Sequence, residues 1–228
     1  MDDIAERWAR DSETGETYTV PSNMTYKQWA AKQAGLAKSV KPLEKSTKSG
    51  IVKSITVDNL KASVSGSTIN EEIAVKVADV LKEHNAFSLF DSAVVEKLGD
   101  EIVFQTNAQK SGTFFDTVFV MNEDVLGGKT TTEIDNMFSH AKNTLAESME
   151  EAIIHEMYHS KLIHNLNYAQ LENLYDELSD IHIEGLGKTA KIDGSECIAE
   201  IGILLERGDI NEVPEDARKL FERFFGKL

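Results

Sequence analysis

The sequence is poor in the residues that would place it in several familiar protein classes. Its 228 residues include one cysteine, Cys197, and three prolines, so an internal disulfide cannot form and a disulfide-stapled secreted scaffold is excluded. No apolar run reaches the length of about 18 residues that a membrane-spanning helix needs. No apolar stretch follows the first residues, as it would in a secretory signal peptide. We therefore expect a protein held in a reducing cytoplasm, with no membrane partner.

Basic residues are also scarce relative to acidic ones. Lys and Arg number 24 against 39 Asp and Glu, which gives a formal net charge of −15. A nucleic-acid-binding surface must neutralise phosphates with basic side chains, so we expect no nucleic-acid partner. The charge favours protein or peptide partners, although solubility explains it equally well. Apolar residues make up 41% of the chain, which is enough to build a sizeable core.

Histidine is scarce too, yet two of the six histidines stand four residues apart. They belong to the run His155-Glu156-Met157-Tyr158-His159. Residues four apart lie on one face of a helix, so both imidazoles can reach the same metal ion. Glu156 then projects beside that ion, where it can accept a proton from a water molecule. This spacing is typical of a zinc hydrolase helix.

The context predicts that this run lies on a buried helix over about residues 148–163. Ser148 and Glu151 form a capping-box pattern, and the apolar stretch Ala152–Ile154 comes directly before His155. One residue departs from the usual pattern: Lys161 occupies a position where zinc helices usually carry an apolar side chain. The alternative is a surface helix with two unrelated histidines.

A catalytic zinc ion needs a third protein ligand, and five positions bear on that choice. Leu162 and Asn165 stand where a metzincin has Gly and His, so that class is rejected. His164 points away from the shared histidine face. Asp193, in a probable loop, loosely resembles the third-ligand loop of aspzincins. We favour Glu196, because it lies near the start of a predicted helix and stands four residues before another acidic residue, the same spacing as that of the two histidines.

Glu196 and Glu200 are four residues apart and so share a helix face. Glu196 can bind the metal, and Glu200 can accept the free ring N–H of a bound histidine and orient it. An acidic residue favoured by the helix dipole is the alternative for Glu196. His155-Glu156-x-x-His159 followed by Glu196-x-x-x-Glu200 resembles the gluzincin metallopeptidases. The resemblance implies a Zn²⁺-dependent endopeptidase with Glu156 as general base.

A second resemblance lies near the N-terminus. Residues 15–21 (GETYTVP) and 24–29 (MTYKQW) are similar to a segment of the Mu-type head morphogenesis family of phage minor head proteins. It covers about residues 12–35 and carries over no catalytic residue. It implies a C-terminal piece of a larger phage or prophage protein, capsid proteins as partners, and a place in the virion or the bacterial cytoplasm. A generic turn and helix with an aromatic anchor is the alternative.

Composition divides the chain into residues 1–50, an N-terminal arm with a Lys/Ser-rich linker over 36–50, and a zincin-like catalytic domain over 51–228. Pattern and caps predict further elements. The predicted strands are 17–20, 51–57, 101–105 and 113–121, with a loop over 107–112. The predicted helices are 25–35, 71–84, 91–98, 133–142, 168–183, 194–207 and one from Pro214 to Phe225.

These elements predict an α+β fold with a mostly helical C-terminal half. The zincin resemblance implies a small mixed sheet whose edge strand lies above the metal helix and binds extended peptides. Strand 113–121 fits that edge by its order in the chain, and a core strand explains it equally. Tyr168, Tyr175 and His182 are considered as oxyanion donors, but helix packing accounts for each better. The alternative to an enzyme is a non-catalytic virion module with a structural or vestigial metal site.

Overall fold

In a computed structural model, the chain forms two compact units, Met1–Glu44 and Lys45–Leu228. In the first unit, strand β1 (Arg7–Arg10) pairs antiparallel with β2 (Thr17–Val20), which confirms the predicted strand 17–20. The predicted helix 25–35 and linker 36–50 lie outside the described residues. The structure describes residues 7–10, 17–20, 54–100, 102–141, 144–179, 181, 183, 186–188, 190 and 193–227.

The second unit is an α+β structure in which helices outnumber strands among the described residues. No helix described there is long and apolar enough to cross a membrane. The helices are α1 (Val57–Val64), α2 (Glu71–Glu83), α3 (Glu123–Leu126), α4 (Thr131–His140), α5 (Met149–Ile163), α6 (Tyr168–Leu178), α7 (Gly194–Arg207) and α8 (Glu215–Phe225), with 3-10 turns at Phe87–Leu89 and Ile210–Glu212. The strands are β3 (Ser92–Glu96), β4 (Phe104–Ser111) and β5 (Phe114–Asn122).

The three strands of this unit form a mixed sheet in the order β3-β5-β4. β5 runs parallel to β3 and antiparallel to β4, and nearly all of its residues are buried. The prediction that strand 113–121 is an edge is therefore wrong, and its alternative, a core strand, is confirmed. The strand at the edge of the sheet beside helix α5, which carries His155 and His159, is β4.

A tight hairpin joins β4 to β5. Ser111 pairs with Phe114, so only Gly112 and Thr113 form the turn. Gly112 has φ +68°, a conformation that glycine adopts readily and that two-residue hairpin turns require. The predicted loop over 107–112 is wrong, because the polar residues there continue an edge strand with a solvent-facing side.

Two other predicted elements change type. The predicted helix 91–98 is strand β3, because Ser92–Glu96 pair with the central strand β5. The predicted strand over 51–57 is not formed in its described part, since Val57 begins α1 with Thr56 as its N-cap. In both places contacts distant in sequence override a short apolar pattern that suits either structure.

Helix α5 lies at the centre of the unit and packs against α2, α4, α7, β4 and β5. Its contact with α7 is very close, because Gly202 lies against the ring of Tyr158; a Cβ at Gly202 would come within 2.2 Å of a ring carbon. Lys161, the residue that departs from the usual zinc-helix pattern, places its Nζ 3.9 Å from the centre of the same ring. A cation over an aromatic face is a favourable contact, so the lysine is accommodated away from the histidine face.

An ion pair also joins α5 to α7. The Arg207 Nε and Nη2 donate to the two carboxylate oxygens of Glu151 at 2.6 Å, and Nη2 also donates to the Leu145 carbonyl at 2.7 Å. Burial disfavours the charged form of the Glu151 carboxylate, but the hydrogen bonds from Arg207 help to outweigh burial, and the pKa of Glu151 is lowered. Such a two-pronged contact fixes the angle at which the helices meet.

We predict that Gly202→Ala destabilises the protein by about 1–3 kcal/mol, because the added methyl group collides with the Tyr158 ring. The sign of the change in stability is informative, because glycine-to-alanine changes inside helices usually stabilise a protein by about 1 kcal/mol. Urea unfolding of the two single variants and the double variant Gly202→Ala/Tyr158→Leu measures the coupling. We expect Gly202→Ala to cost less stability in the Tyr158→Leu background than in the unmodified chain. A Gly202→Ala protein that is more stable than the unmodified chain would contradict this packing.

Candidate metal centre

Helix α5 begins at a capped N-terminus. The Ser148 Oγ accepts a hydrogen bond from the Glu151 backbone N–H at 3.2 Å, as the capping pattern predicts. The Glu151 carboxylate does not complete the box by returning to Ser148; it accepts from the backbone N–H of Glu147 at 2.6 Å. The cap sets the start of the helix and therefore the direction in which the histidines about two and three turns later point.

His155 and His159 lie side by side on this helix, as their spacing predicts. Their Nε2 atoms are 3.0 Å apart, and their ring centres are 4.7 Å apart. Both side chains are largely buried. Two imidazole nitrogens at this distance must share either a proton or a cation.

Glu196 reaches the same point from helix α7. Its Oε2 lies 3.3 Å from the Nε2 of His155, and its Oε1 lies 3.3 Å from the Nε2 of His159. Asp193 caps this helix, and its Oδ1 accepts from the backbone N–H groups of Ser195 at 2.7 Å and Glu196 at 3.0 Å. Asp193 therefore orients the first turn that carries Glu196, and its observed contacts are those of a cap.

The spacing of these three side chains fits a divalent metal ion. Each offers a donor atom within 4.8 Å of the other two, and the closest separations are 3.0 and 3.3 Å. Ligands about 2.0–2.1 Å from a tetrahedral zinc ion lie about 3.3 Å from one another. A donor set of two histidines and one glutamate leaves a fourth position open, as in catalytic sites.

The charges of the cluster are coupled. Burial opposes ionisation of Glu196, but hydrogen bonds with His155 and His159 outweigh it and hold the pKa of this carboxyl well below its usual range. Burial likewise opposes protonation of His159, yet the contact with Glu196 and the negative charge of Glu156 raise its pKa. The Glu196 carboxylate therefore favours its ionised form and stabilises positive charge at the imidazole nitrogens.

Glu156 lies beside the cluster and is almost fully buried. Burial raises the pKa of its carboxyl, and the positive character of His159 and His155 offsets part of that rise. A carboxyl with a raised pKa exchanges protons closer to neutral pH than an exposed one. Glu156 therefore has the position and the burial that a proton-transfer group beside a metal ion requires.

Glu200 occupies a different place from the one predicted. It is fully buried, and its carboxylate accepts from the backbone N–H of Gly187 at 2.9 Å and of Leu145 at 3.3 Å. The Nδ1 of His155 is buried with no hydrogen-bond partner among the described residues. Among the described residues, the predicted hydrogen bond between Glu200 and the ring of His155 or His159 is therefore not formed. The observed contacts join two chain segments to α7.

A cavity of about 740 Å³ opens onto the cluster. His155, Glu156, His159 and Glu196 line it together with Tyr175 of α6, which the sequence assigns to helix packing. That assignment is wrong, because Tyr175 is exposed to solvent while Leu171, Leu174 and Leu178 of the same helix are buried. Its spacing from those leucines gave no signal of this exposure. Tyr168 is not among the lining residues, and His182 lies outside the described residues.

A hydrogen bond ties strand β4 to helix α5 at the edge of this cavity. The Thr106 Oγ1 donates to the backbone carbonyl of Glu156 at 2.8 Å. Thr106, Gln105 and Phe104 line the cavity along with the four residues of the cluster. An edge strand of the described sheet thus runs past the candidate metal centre at a fixed distance from Glu156.

No family model, no curated protein and no solved structure matches this chain. The geometry of the site therefore carries the functional interpretation.

We predict that the protein binds one divalent metal ion and that His159→Ala or the isosteric Glu196→Gln weakens binding by at least about 100-fold, more than changes to outer residues cost. Zinc at about 100 times its dissociation constant should stabilise the fold by about 2.7 kcal/mol. Calorimetric titration, metal analysis and thermal unfolding measure these effects.

His140→Ala is the matched control, because this histidine is exposed at the end of α4 and lies outside the cluster. It should bind zinc as the unmodified chain does. Equal zinc affinity in the His159→Ala and His140→Ala proteins would contradict the assignment of the centre.

Proposed function

We propose that this chain is a zinc-dependent endopeptidase with a zincin-like fold, in which His155, His159 and Glu196 hold Zn²⁺ and Glu156 is the general base. One observation carries the proposal. Two helices distant in sequence bring three donor atoms to within 4.8 Å of one another, with a buried carboxyl and an open cavity beside them. A purely structural site has no use for Glu156 or for the cavity.

When bound in such a site, Zn²⁺ supplies Lewis acidity that lowers the pKa of water and polarises a carbonyl group. The residues of the chain supply the remainder. Glu156 accepts a proton from the attacking water and delivers it to the leaving amine. Its burial favours the first transfer, because a carboxylate out of water accepts a proton more readily.

The edge of β4 offers a path for the substrate. β4 has a partner strand on one side only within the described sheet, so an extended peptide can add to its other side through backbone hydrogen bonds. The hydrogen bond from Thr106 to the Glu156 carbonyl keeps that edge in register with the general base. Substrate addition at β4, not at strand 113–121, is the form of the proposal that the strand order supports.

Tyr175 is placed to assist the same reaction. Its ring lines the cavity with Glu156, and partial burial together with the negative charges of Asp193 and Glu156 raises the pKa of the phenol. The phenol therefore stays protonated at neutral pH and can donate a hydrogen bond. We assign it as a donor to the oxyanion that forms when the peptide carbonyl is attacked.

The setting that we propose follows from the N-terminal resemblance to phage minor head proteins. In that setting the chain acts on capsid proteins or on proteins of the bacterial host, within the virion or the host cytoplasm. The proposed activity does not depend on this setting, since the metal centre lies entirely in the second unit.

We predict that Glu156→Gln lowers kcat for peptide cleavage about 10²- to 10⁴-fold, because the proton acceptor is lost. Zinc should still bind to this variant. Casein or a peptide mixture incubated with zinc-loaded protein and read by mass spectrometry gives the measurement. Glu150→Gln is the matched control, because Glu150 lies on the same helix in an ion pair with Lys76 and does not line the cavity.

Cleavage by the Glu150→Gln protein at the rate of the unmodified chain is expected. Cleavage that survives Glu156→Gln would remove this residue from the mechanism. A protein that binds zinc, gains thermal stability and cleaves nothing would instead support the structural alternative.

We predict that Tyr175→Phe lowers kcat about 100-fold with little change in KM, because it removes one donor to the transition state and keeps the ring. Steady-state kinetics separate the two constants. Tyr168→Phe, on the same helix but not lining the cavity, is the control and should behave as the unmodified enzyme. A Tyr175→Phe enzyme with unchanged kcat would exclude the phenol as the donor.

A further inference from the structure

The large apolar side chains that the described structure leaves exposed are gathered at one place. They are Ile102, Met137 and Tyr175, which are 37%, 38% and 42% exposed, and all three line the cavity of the metal centre. Single exposed apolar residues are ordinary, but a cluster of them at a concave site marks a surface that binds something apolar.

These three side chains come from different elements around the cavity. Ile102 precedes β4, Met137 lies on α4 and Tyr175 lies on α6. Buried apolar residues of the same walls, Phe104 and Phe138, also line the cavity. A ligand in the cavity thus meets apolar surface from several directions, close to the metal ligands and Glu156.

The segment that carries Ile102 is held in place by a buried side chain. Asn122 is fully buried, and its Nδ2 donates to the carbonyls of Gly99 at 2.6 Å and Ile102 at 2.5 Å. Its Oδ1 accepts from the backbone N–H groups of Leu98 at 3.1 Å and Asp124 at 3.0 Å. The exposed position of Ile102 is therefore built into the fold, and a preformed surface binds without an ordering cost.

Met137 is presented on a helix with a complete capping box. The Thr130 Oγ1 accepts from the Glu133 backbone N–H at 3.3 Å, and the Glu133 carboxylate accepts from the Thr130 N–H at 2.8 Å. Helix α4 is thereby anchored one turn before Met137. A flexible thioether on a fixed helix adapts to differently shaped apolar partners.

The charges of the cavity select against acidic ligands. Among the described lining residues there is no lysine or arginine, whereas Asp100, Glu156 and Glu196 are present. At the apolar side chains, away from the metal ligands, a carboxylate on the ligand would find no lysine or arginine to pair with and would lie near Asp100. The surface therefore discriminates in favour of apolar side chains through both attraction and exclusion.

We infer that Ile102, Met137 and Tyr175 form a specificity surface that takes a bulky apolar side chain of an extended peptide, next to the bond presented to the metal centre. This inference rests on the proposed peptidase function, and it names the substrate class of that same site. Peptides with Leu or Phe at this position are the preferred ligands, and peptides with Asp are the poorest.

The test uses two pools of fluorescein-labelled decapeptides, with Leu or Phe in one pool and Ser or Asp in the other at a fixed central position. The remaining positions are randomised over Ala, Gly, Thr and Lys. Binding to the zinc-loaded Glu156→Gln protein is measured by fluorescence polarisation, and cleavage of the same pools by the unmodified protein is measured in parallel. We expect the apolar pool to be favoured about tenfold in both assays.

Variants of the surface then identify its residues. Met137→Ser and Ile102→Ser, each in the Glu156→Gln background for binding, should each reduce the preference to about threefold, because part of the apolar contact is lost. Met137→Leu should keep it. Asn136→Ser, at the exposed neighbouring position of α4 outside the cavity, is the matched control and should leave both assays unchanged.

The outcomes separate the two proposals. Cleavage of both pools at equal rates, or a preference that Met137→Ser and Ile102→Ser leave intact, would overturn the specificity surface and leave the peptidase standing. Preferential binding of the apolar pool without any cleavage would support the surface and overturn the peptidase. Equal binding of the two pools would overturn the surface whether or not cleavage occurs.

Discussion

The packing of α7 across α5 is the contact on which the candidate metal centre depends. Glu196 can meet the two histidines only because the helices approach closely, and Gly202 allows that approach by leaving room for the Tyr158 ring. The two-pronged ion pair between Arg207 and Glu151 fixes a second point of contact. A rigid pair of helices can hold three donors at metal-ligand spacing, whereas ligands on loose segments would pay an ordering cost for every bound ion.

Buried acidic groups would ordinarily destabilise such a core, and here each has its own compensation. Glu196 is stabilised as an anion by the imidazoles. Glu200 is satisfied by backbone N–H groups of two segments. Glu156 has its pKa raised by burial, so its carboxyl exchanges protons closer to neutral pH than an exposed one does. Different surroundings thus suit three chemically identical side chains to the separate roles of candidate ligand, structural acceptor and proposed base.

In the function that we propose, the cavity is the place where a peptide is held. The edge strand β4 offers backbone groups, and Thr106 ties the strand to Glu156, the proposed general base. The exposed apolar side chains are the proposed site for one side chain of the substrate. This proposal accounts for why a chain with a net charge of −15 still exposes an apolar cluster at one site.

The sequence by itself determined the local part of this protein. The four-residue spacing predicted the histidine face, the capping-box pattern predicted Ser148 as the cap of α5, and the pattern of residues predicted the bounds of α7. A second four-residue spacing singled out Glu196. Only the tertiary structure decided that β4 is the edge strand, that Glu200 holds backbone segments and that Tyr175 faces the cavity. Periodicity reports which residues share a face of one element. It cannot report which face meets which partner, because that depends on contacts between residues far apart in the chain.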